Sequence, residues 1–163
     1  MQVALVRSIN HSHTYVAEVR RIANRYSAAL STTGAAAKAV AFARSQLGTP
    51  YVWGGDGPSE GGFDCSGLTQ AAYRAAGITI PRVAQPQFDH GPRVPRGSQI
   101  QPGDLLFFGS GPNRITHVGI YSGDGRMIDA PRPGTVIRER AVRLAARNDF
   151  QGATRPAARG GPR

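Results

Sequence analysis

The chain has one cysteine, and its neighbours suit a nucleophile. In Phe63-Asp64-Cys65-Ser66-Gly67-Leu68, Asp64 is a good N-cap, and Leu68, Ala71, Ala72 and Ala75 continue at helical spacing. The sequence therefore places Cys65 in the first turn of a helix. There the partial positive charge of the helix terminus favours a thiolate over a thiol, and a thiolate attacks acyl carbons. Free backbone N–H groups of the same turn can face the oxyanion that forms next, and Gly67 lets another stretch of chain approach closely. The other reading of a lone cysteine, a small buried hydrophobe, needs none of these neighbours.

Such a nucleophile needs a base, usually a histidine distant in sequence. His11 and His13 lie ahead of the first expected helix, and His90 lies in a proline-rich loop beside Gly91-Pro92. His117 lies inside the strand-like run Ile115-Thr116-His117-Val118-Gly119-Ile120-Tyr121, where the backbone fixes the ring better than a loop would. The base in turn needs an orienting group, and Asp129 in Met127-Ile128-Asp129-Ala130 is the candidate; its bland alternative is a solvent-facing acid on a hairpin. Placing Asp129 directly opposite His117 requires Tyr121 to face Gly125, with Ser122-Gly123-Asp124 as a three-residue loop. An odd loop puts both side chains on one face of the sheet, whereas an even one separates them.

The positioning elements follow from periodicity and punctuation. Val16, Val19, Ile22, Ala23 and Tyr26 predict an amphipathic helix over 14–30, and Ser31-Thr32-Thr33-Gly34 reads as a linker. An Ala-rich helix is expected over 35–47, ended by Gly48 and Pro50, then a glycine-dense loop from Gly54 to Gly62, then the Cys65 helix to Ala76 with Gly77 as its stop. Five prolines between 81 and 103 predict mostly loop. Strands are expected at 104–108, 115–121, 126–130 and 135–140. Helices first and an antiparallel sheet after predict an α+β fold. Residues 1–34 read as an N-terminal helix and linker and residues 35–155 as one domain. Residues 151–163, dominated by Arg, Gly, Pro and Ala, read as a disordered tail by composition, with the domain drawn to end at 155 and 156–163 as its basic end.

With 163 residues, 40% of them hydrophobic, the chain can bury a core of its own. No apolar run approaches the roughly 20 residues of a membrane span. The short patch from Val3 to Val6 has neither a long apolar region nor a small-residue cleavage site, so no signal peptide is read. One cysteine excludes an internal disulfide framework and a cysteine-based zinc site. The net charge of +10 is compatible with nucleic acid, anionic membrane or anionic wall polymer. The arginines lack aromatic interleaving and any nucleic-acid motif, so nucleic acid is not an expected partner.

Read together, Leu47-Gly48-Thr49-Pro50-Tyr51-Val52-Trp53-Gly54-Gly55, Phe63-Asp64-Cys65-Ser66-Gly67-Leu68, Gln101-Pro102-Gly103-Asp104-Leu105-Leu106-Phe107-Phe108, His117-Val118-Gly119-Ile120-Tyr121 and Met127-Ile128-Asp129-Ala130 resemble, in order, the motifs of the NlpC family of cell-wall peptidases. The resemblance covers about residues 36–155. It implies a papain-like fold and cleavage of peptidoglycan stem peptides, typically between D-glutamate and a diamino acid, by a Cys65, His117, Asp129 triad. It also implies that Tyr51 sets a hydroxyl near the nucleophile and that Asp64 and Ser66 line the substrate groove. No metal or cofactor is implied; a monomer working in the cell wall or secreted space is expected. Two positions depart from the family pattern. Asp129 stands where His is common, and Val83 follows Pro81-Arg82 where Ser or Thr is common. An amidase on the same fold and a catalytically silent wall-binding module remain open alternatives. Thr14-Tyr15-Val16-Ala17-Glu18-Val19 and Tyr26 are also similar to the last helix of lysozyme-like lytic transglycosylase domains, which implies a domain ahead of this one.

Overall fold

The structure, a computed structural model, describes residues 2–159; for residues 2–13, 27–32 and 159 only the backbone is described. Helix α1 runs over Gln2–Ser45, α2 over Cys65–Ala75 and α3 over Ala84–His90. Strands β1 (Asp56–Gly57) and β2 (Gly62–Phe63) form a small antiparallel pair before α2. The main sheet contains β3 (Leu105–Gly111), β4 (Arg114–Gly123), β5 (Arg126–Asp129), β6 (Arg138–Ala141) and β7 (Phe150–Thr154). Its order is β6-β5-β4-β3-β7, and every neighbouring pair is antiparallel.

The core explains the apolar pattern. On one side of the sheet, Leu105, Phe107, Val118, Ile120 and Ile128 pack with Leu68, Ala72 and Tyr73 of α2 and with Ala36, Ala39, Val40 and Ala43 of α1. On the other, Leu106, Phe108 and Met127 pack with Val142 and Ala153. β3 is thus buried on both faces, and for that reason its first four residues are all apolar rather than alternating. The fold is α+β, as expected from the order of elements.

Several local expectations need correction. The linker over 31–34 does not exist as a break, because the backbone is helical from Gln2 to Ser45. One Gly in an Ala-rich run costs a helix only about 1 kcal/mol, and no Pro interrupts it. His11 and His13, placed ahead of the first helix, fall within its backbone span, and their side chains lie outside the described residues. The apolar face foreseen for 14–30 is exposed at Tyr15, Val16, Val19, Ile22 and Tyr26; the described burial on α1 lies at Ala36 and beyond. The proline-rich stretch contains α3, with Pro86 in its first turn, where a missing N–H costs nothing; buried Ala84, Gln87 and Phe88 anchor it.

The C-terminal stretch is also ordered where a tail was expected. β7 pairs with β3, and Pro156–Arg159 forms a 3-10 turn packed against α1. Residues 160–163 lie outside the described residues. The strand was invisible in composition because its partner β3, not its own side chains, makes it a strand. Arg155 fixes its end, with Nε and Nη2 donating to the two oxygens of Asp104 at 2.8 and 2.9 Å. Asp104 is 1% exposed and also accepts from the backbone N–H of Gln101. A buried carboxylate stripped of its cation keeps its desolvation cost without the offset. Arg155→Met should therefore lower the chemical denaturation midpoint at unchanged slope, by about 2 kcal/mol of stability once the partial exposure of the guanidinium is allowed for.

Candidate active site

The start of α2 is built by its cap. Asp64 has extended backbone, its Oδ1 accepts from the Gly67 N–H at 2.7 Å, and its carbonyl accepts from the Leu68 N–H. Arg82 clamps this cap from outside the helix. Its Nη1 donates to Asp64 Oδ1 at 2.9 Å and to Ser66 Oγ at 3.0 Å, and its Nη2 donates to Asp64 Oδ2 at 3.1 Å and to the Gly55 carbonyl at 3.2 Å. Its Nε also donates to Asp56. The glycine loop reaches the helix because side chains are missing where backbones meet. A Cβ on Gly67 would lie 2.2 Å from the Gly55 carbonyl oxygen, and one on Gly62 would lie 1.9 Å from that of Pro50. Cys65 emerges from this frame half-buried, against the core that α2 shares with the sheet.

The sheet supplies the rest. His117 Nε2 and Asp129 Oδ2 are 2.7 Å apart, which leaves Nδ1 for the Cys65 thiol, in side-chain hydrogen-bonding contact with the ring. The two residues share a face, but by a register other than the expected one. Ile120 pairs with Ile128, Tyr121 with Met127 and Gly123 with Arg126, with a bulge between Tyr121 and Gly123. The loop is the two-residue Asp124-Gly125, both at positive φ (52° and 71°), as a type I′ turn requires. An even turn plus one bulged residue has the same parity as the odd loop foreseen, so the shared face survives while direct opposition does not.

One step along the ladder, Gly119 stands across from Asp129, and His117 reaches it diagonally. Gly119 makes that reach possible: a Cβ there would lie 2.4 Å from Met127 Sδ and 3.2 Å from Asp129 Cβ. Gly119→Ala should therefore push Asp129 or Met127 aside and lower turnover of the folded protein, read as kcat at equal active-site titre.

Asp129 is wholly buried and has a second partner that sequence reasoning missed. Arg140 donates to it from Nη2 at 2.7 Å and from Nε at 3.2 Å. Burial alone would raise the Asp129 pKa, but the bonds to His117 and Arg140 outweigh it and hold the carboxyl below its ordinary range. Burial likewise opposes charge on His117, yet Asp129 and Cys65 outweigh it and lift the imidazolium to about 9. Phe108 packs beside the His117 ring at 5.9 Å, and the Arg147 guanidinium lies 4.2 Å over Phe108. Arg147 is itself forked onto Asp149 at 2.8 and 2.7 Å.

Cys65, His117 and Asp129 thus converge. Tyr51 lies beside them, its phenol pKa raised by burial and by the neighbouring Cys65 and Asp64. Asp64 and Ser66 adjoin Cys65 but are engaged as a cap and by Arg82, and Ser66 is 5% exposed. Val83 is exposed at the start of α3. Arg82 and Arg140 were not read as site residues from the sequence. Arg82 sits in a proline-rich loop, and Arg140 is one of many arginines in a basic chain. Two-residue alternation on β6 is the only signal that could have placed Arg140 on the Asp129 face. Among the described residues, no cluster of His, Cys, Asp or Glu could hold a metal ion.

A cysteine-bearing helix start packed on an antiparallel sheet that carries a histidine defines a papain-like domain. The NlpC/P60 family model matches residues 48–152. The chain is 40% identical to the peptidoglycan endopeptidase RipA of Mycobacterium tuberculosis over 117 residues, 65% of this chain and 24% of that protein. It is 46% identical to a probable endopeptidase of Corynebacterium glutamicum over 100 residues, 61% of this chain and 45% of that protein. Among solved structures, the NlpC/p60 domain of the peptidoglycan hydrolase SagA superposes with TM-score 0.62 at 42% identity, over 73% of this chain and 97% of that one. The peptidoglycan hydrolase RipB of Mycobacterium tuberculosis gives TM-score 0.65 at 34% identity, over 77% and 66%. The chain belongs to the NlpC/P60 family, and it spans less than half the length of either curated relative.

Charge on this pair ties the stability of the fold to pH. The His117 pKa is raised from 6.5 to about 9, so its charge contributes stability in full below 6.5 and loses it as pH rises through about 9. The Asp129 pKa is lowered from 3.8, so its contribution is present above 3.8 and lost as pH falls through the depressed value. Stability from this pair should plateau between the two windows. In an NMR titration the His117 ring should titrate near 9 and move towards its ordinary value in Cys65→Ala, where one of the two groups that raise it is gone.

Proposed function

We propose that this domain is a peptidoglycan endopeptidase that hydrolyses stem peptides at the bond between D-glutamate and the diamino acid, through a Cys65–His117–Asp129 triad. One observation carries the reading: a single imidazole lies between the thiol at a helix start and a fully buried carboxylate. The names of the relatives, peptidoglycan endopeptidase and peptidoglycan hydrolase, support the substrate class.

The chemistry follows from the geometry. His117 takes the proton of Cys65 at Nδ1, and Asp129 holds the opposite ring nitrogen and the positive charge that results. The thiolate attacks the scissile carbonyl, and the oxyanion meets helix-start N–H groups. The Gly67 N–H is already bonded to Asp64, so those of Cys65 and Ser66 are the available donors. His117 passes its proton to the leaving amine, which departs and leaves a thioester. Water, deprotonated by His117, attacks the thioester, and the freed carboxylate departs as Cys65 is restored. Tyr51 borders the thiol as a substrate contact, Asp64 and Ser66 shape the groove beside it through their bonds to Arg82, and Val83 offers no hydroxyl there. The substrate sets the place of action: the wall, outside the cytoplasm.

Mass spectrometry of muropeptides after digestion tests the reading. Wild type should release fragments ending in D-glutamate, and Cys65→Ala, a small residue at a helix start, should fold and release none. Equal digestion by Cys65→Ala would refute the cysteine mechanism. Fragments cut at the sugar–peptide link would replace the endopeptidase by an amidase.

A further inference from the structure

The Asp129 carboxylate is held from both sides of β5. His117 reaches it diagonally from β4, and Arg140 reaches it diagonally from β6, two residues beyond Arg138, which pairs with Asp129. Oδ2 is 2.7 Å from both the imidazole and Arg140 Nη2, while Oδ1 accepts from Arg140 Nε. Among the described residues, all the hydrogen bonds and ion pairs of the Arg140 guanidinium go to Asp129.

We propose that Arg140 is a positioning residue: its guanidinium fixes the plane of the Asp129 carboxylate so that Oδ2 faces His117, and it shares that carboxylate's charge with the imidazole. The proposal rests on the triad reading given above. The end of an aspartate side chain turns in a broad, nearly two-fold well, and Asp129 has no solvent to restrain it. A planar fork with two parallel bonds removes that freedom, which a point charge cannot do.

Other charges near the pair do not duplicate this role. Cys65, on α2, hydrogen-bonds the ring. Arg147 and Asp149, between β6 and β7, act on Asp129 and His117 only through space, and the Arg147 fork is committed to Asp149. Arg140 lies on the edge strand β6, its side chain 33% exposed, so its replacement removes no core packing.

Two consequences have separate readouts. Losing the fork frees the carboxylate to turn, which lowers turnover without touching substrate contacts. Losing the cation leaves the full carboxylate charge to His117, which strengthens the imidazolium. For Arg140→Met, with a soluble stem peptide containing the D-glutamyl–diamino acid bond, kcat should fall roughly tenfold at nearly unchanged KM, a part of the 10²–10⁴ that general base catalysis supplies. The alkaline limb of kcat/KM and the NMR midpoint of the His117 ring should both move to higher pH. Arg140→Lys keeps the charge without the fork, so its midpoint should stay near wild type while kcat recovers only in part.

A folded Arg140→Met with unchanged kcat and midpoint would overturn the proposal, and so would a midpoint that falls. If the Met variant does not fold, Arg140→Lys carries the test, and wild-type kcat in it would overturn the fork. Cys65→Ala separates the two readings. If it still hydrolyses the peptide, the triad itself fails; if it is silent while Arg140→Met behaves as wild type, only the role of Arg140 fails.

Discussion

A carboxylate without solvent is tolerated only where other charges and donors replace the lost water, and Asp129 imposes that condition on this site. Its position demands a cation on each neighbouring strand, and the sheet order β6-β5-β4 supplies Arg140 on one side and His117 on the other. The same demand sets the state of the histidine. An imidazole between a buried anion and a thiol is held charged well above its ordinary range, because its partners outweigh the cost of burial. Basicity at His117 is thus a product of its partners, Asp129 and Cys65, prevailing over burial.

The second half of the site depends on close backbone approach. The glycine loop, the cap and Arg82 make one unit: Gly55 lies against Gly67, Arg82 bonds the Gly55 carbonyl, and the same guanidinium holds the Asp64 carboxylate that caps α2. The helix start that presents Cys65 is therefore fixed by contacts outside the helix, with rigidity of the kind that catalytic geometry needs. Two arginines, one behind each half, tie the site to the rest of the fold. They also account for part of the basic composition, which in this chain is spent on internal pairing as well as on surface charge.

The parts of this architecture with a local signature were legible in the sequence. Asp64 before Cys65, with apolar spacing after it, marks a helix start, and β3, β4 and β5 carry strand-like runs of their own. The Asp124-Gly125 turn was read one residue too long, because a bulge at Ser122 leaves no mark in residue type, yet parity kept His117 and Asp129 on one face. What was not legible depends on partners far away in the chain. β7 exists because β3 offers it an edge, α3 because Gln87 and Phe88 find buried places, and Arg140 reaches Asp129 only once β6 has docked on β5. α1 runs unbroken through residues read as a linker, since Ser, Thr and a single Gly weaken a helix without ending it.

In the proposed mechanism, Cys65 is a nucleophile because His117, held by Asp129, takes its proton. Alkylation by iodoacetamide, followed on the intact protein by mass spectrometry at mildly acidic pH, tests it most directly, since only the thiolate reacts at a useful rate. The wild type should label rapidly and once, at Cys65, the one cysteine in the chain, and folded His117→Ala should lose most of that rate. Equal rates in the two proteins would show that the imidazole does not activate the thiol.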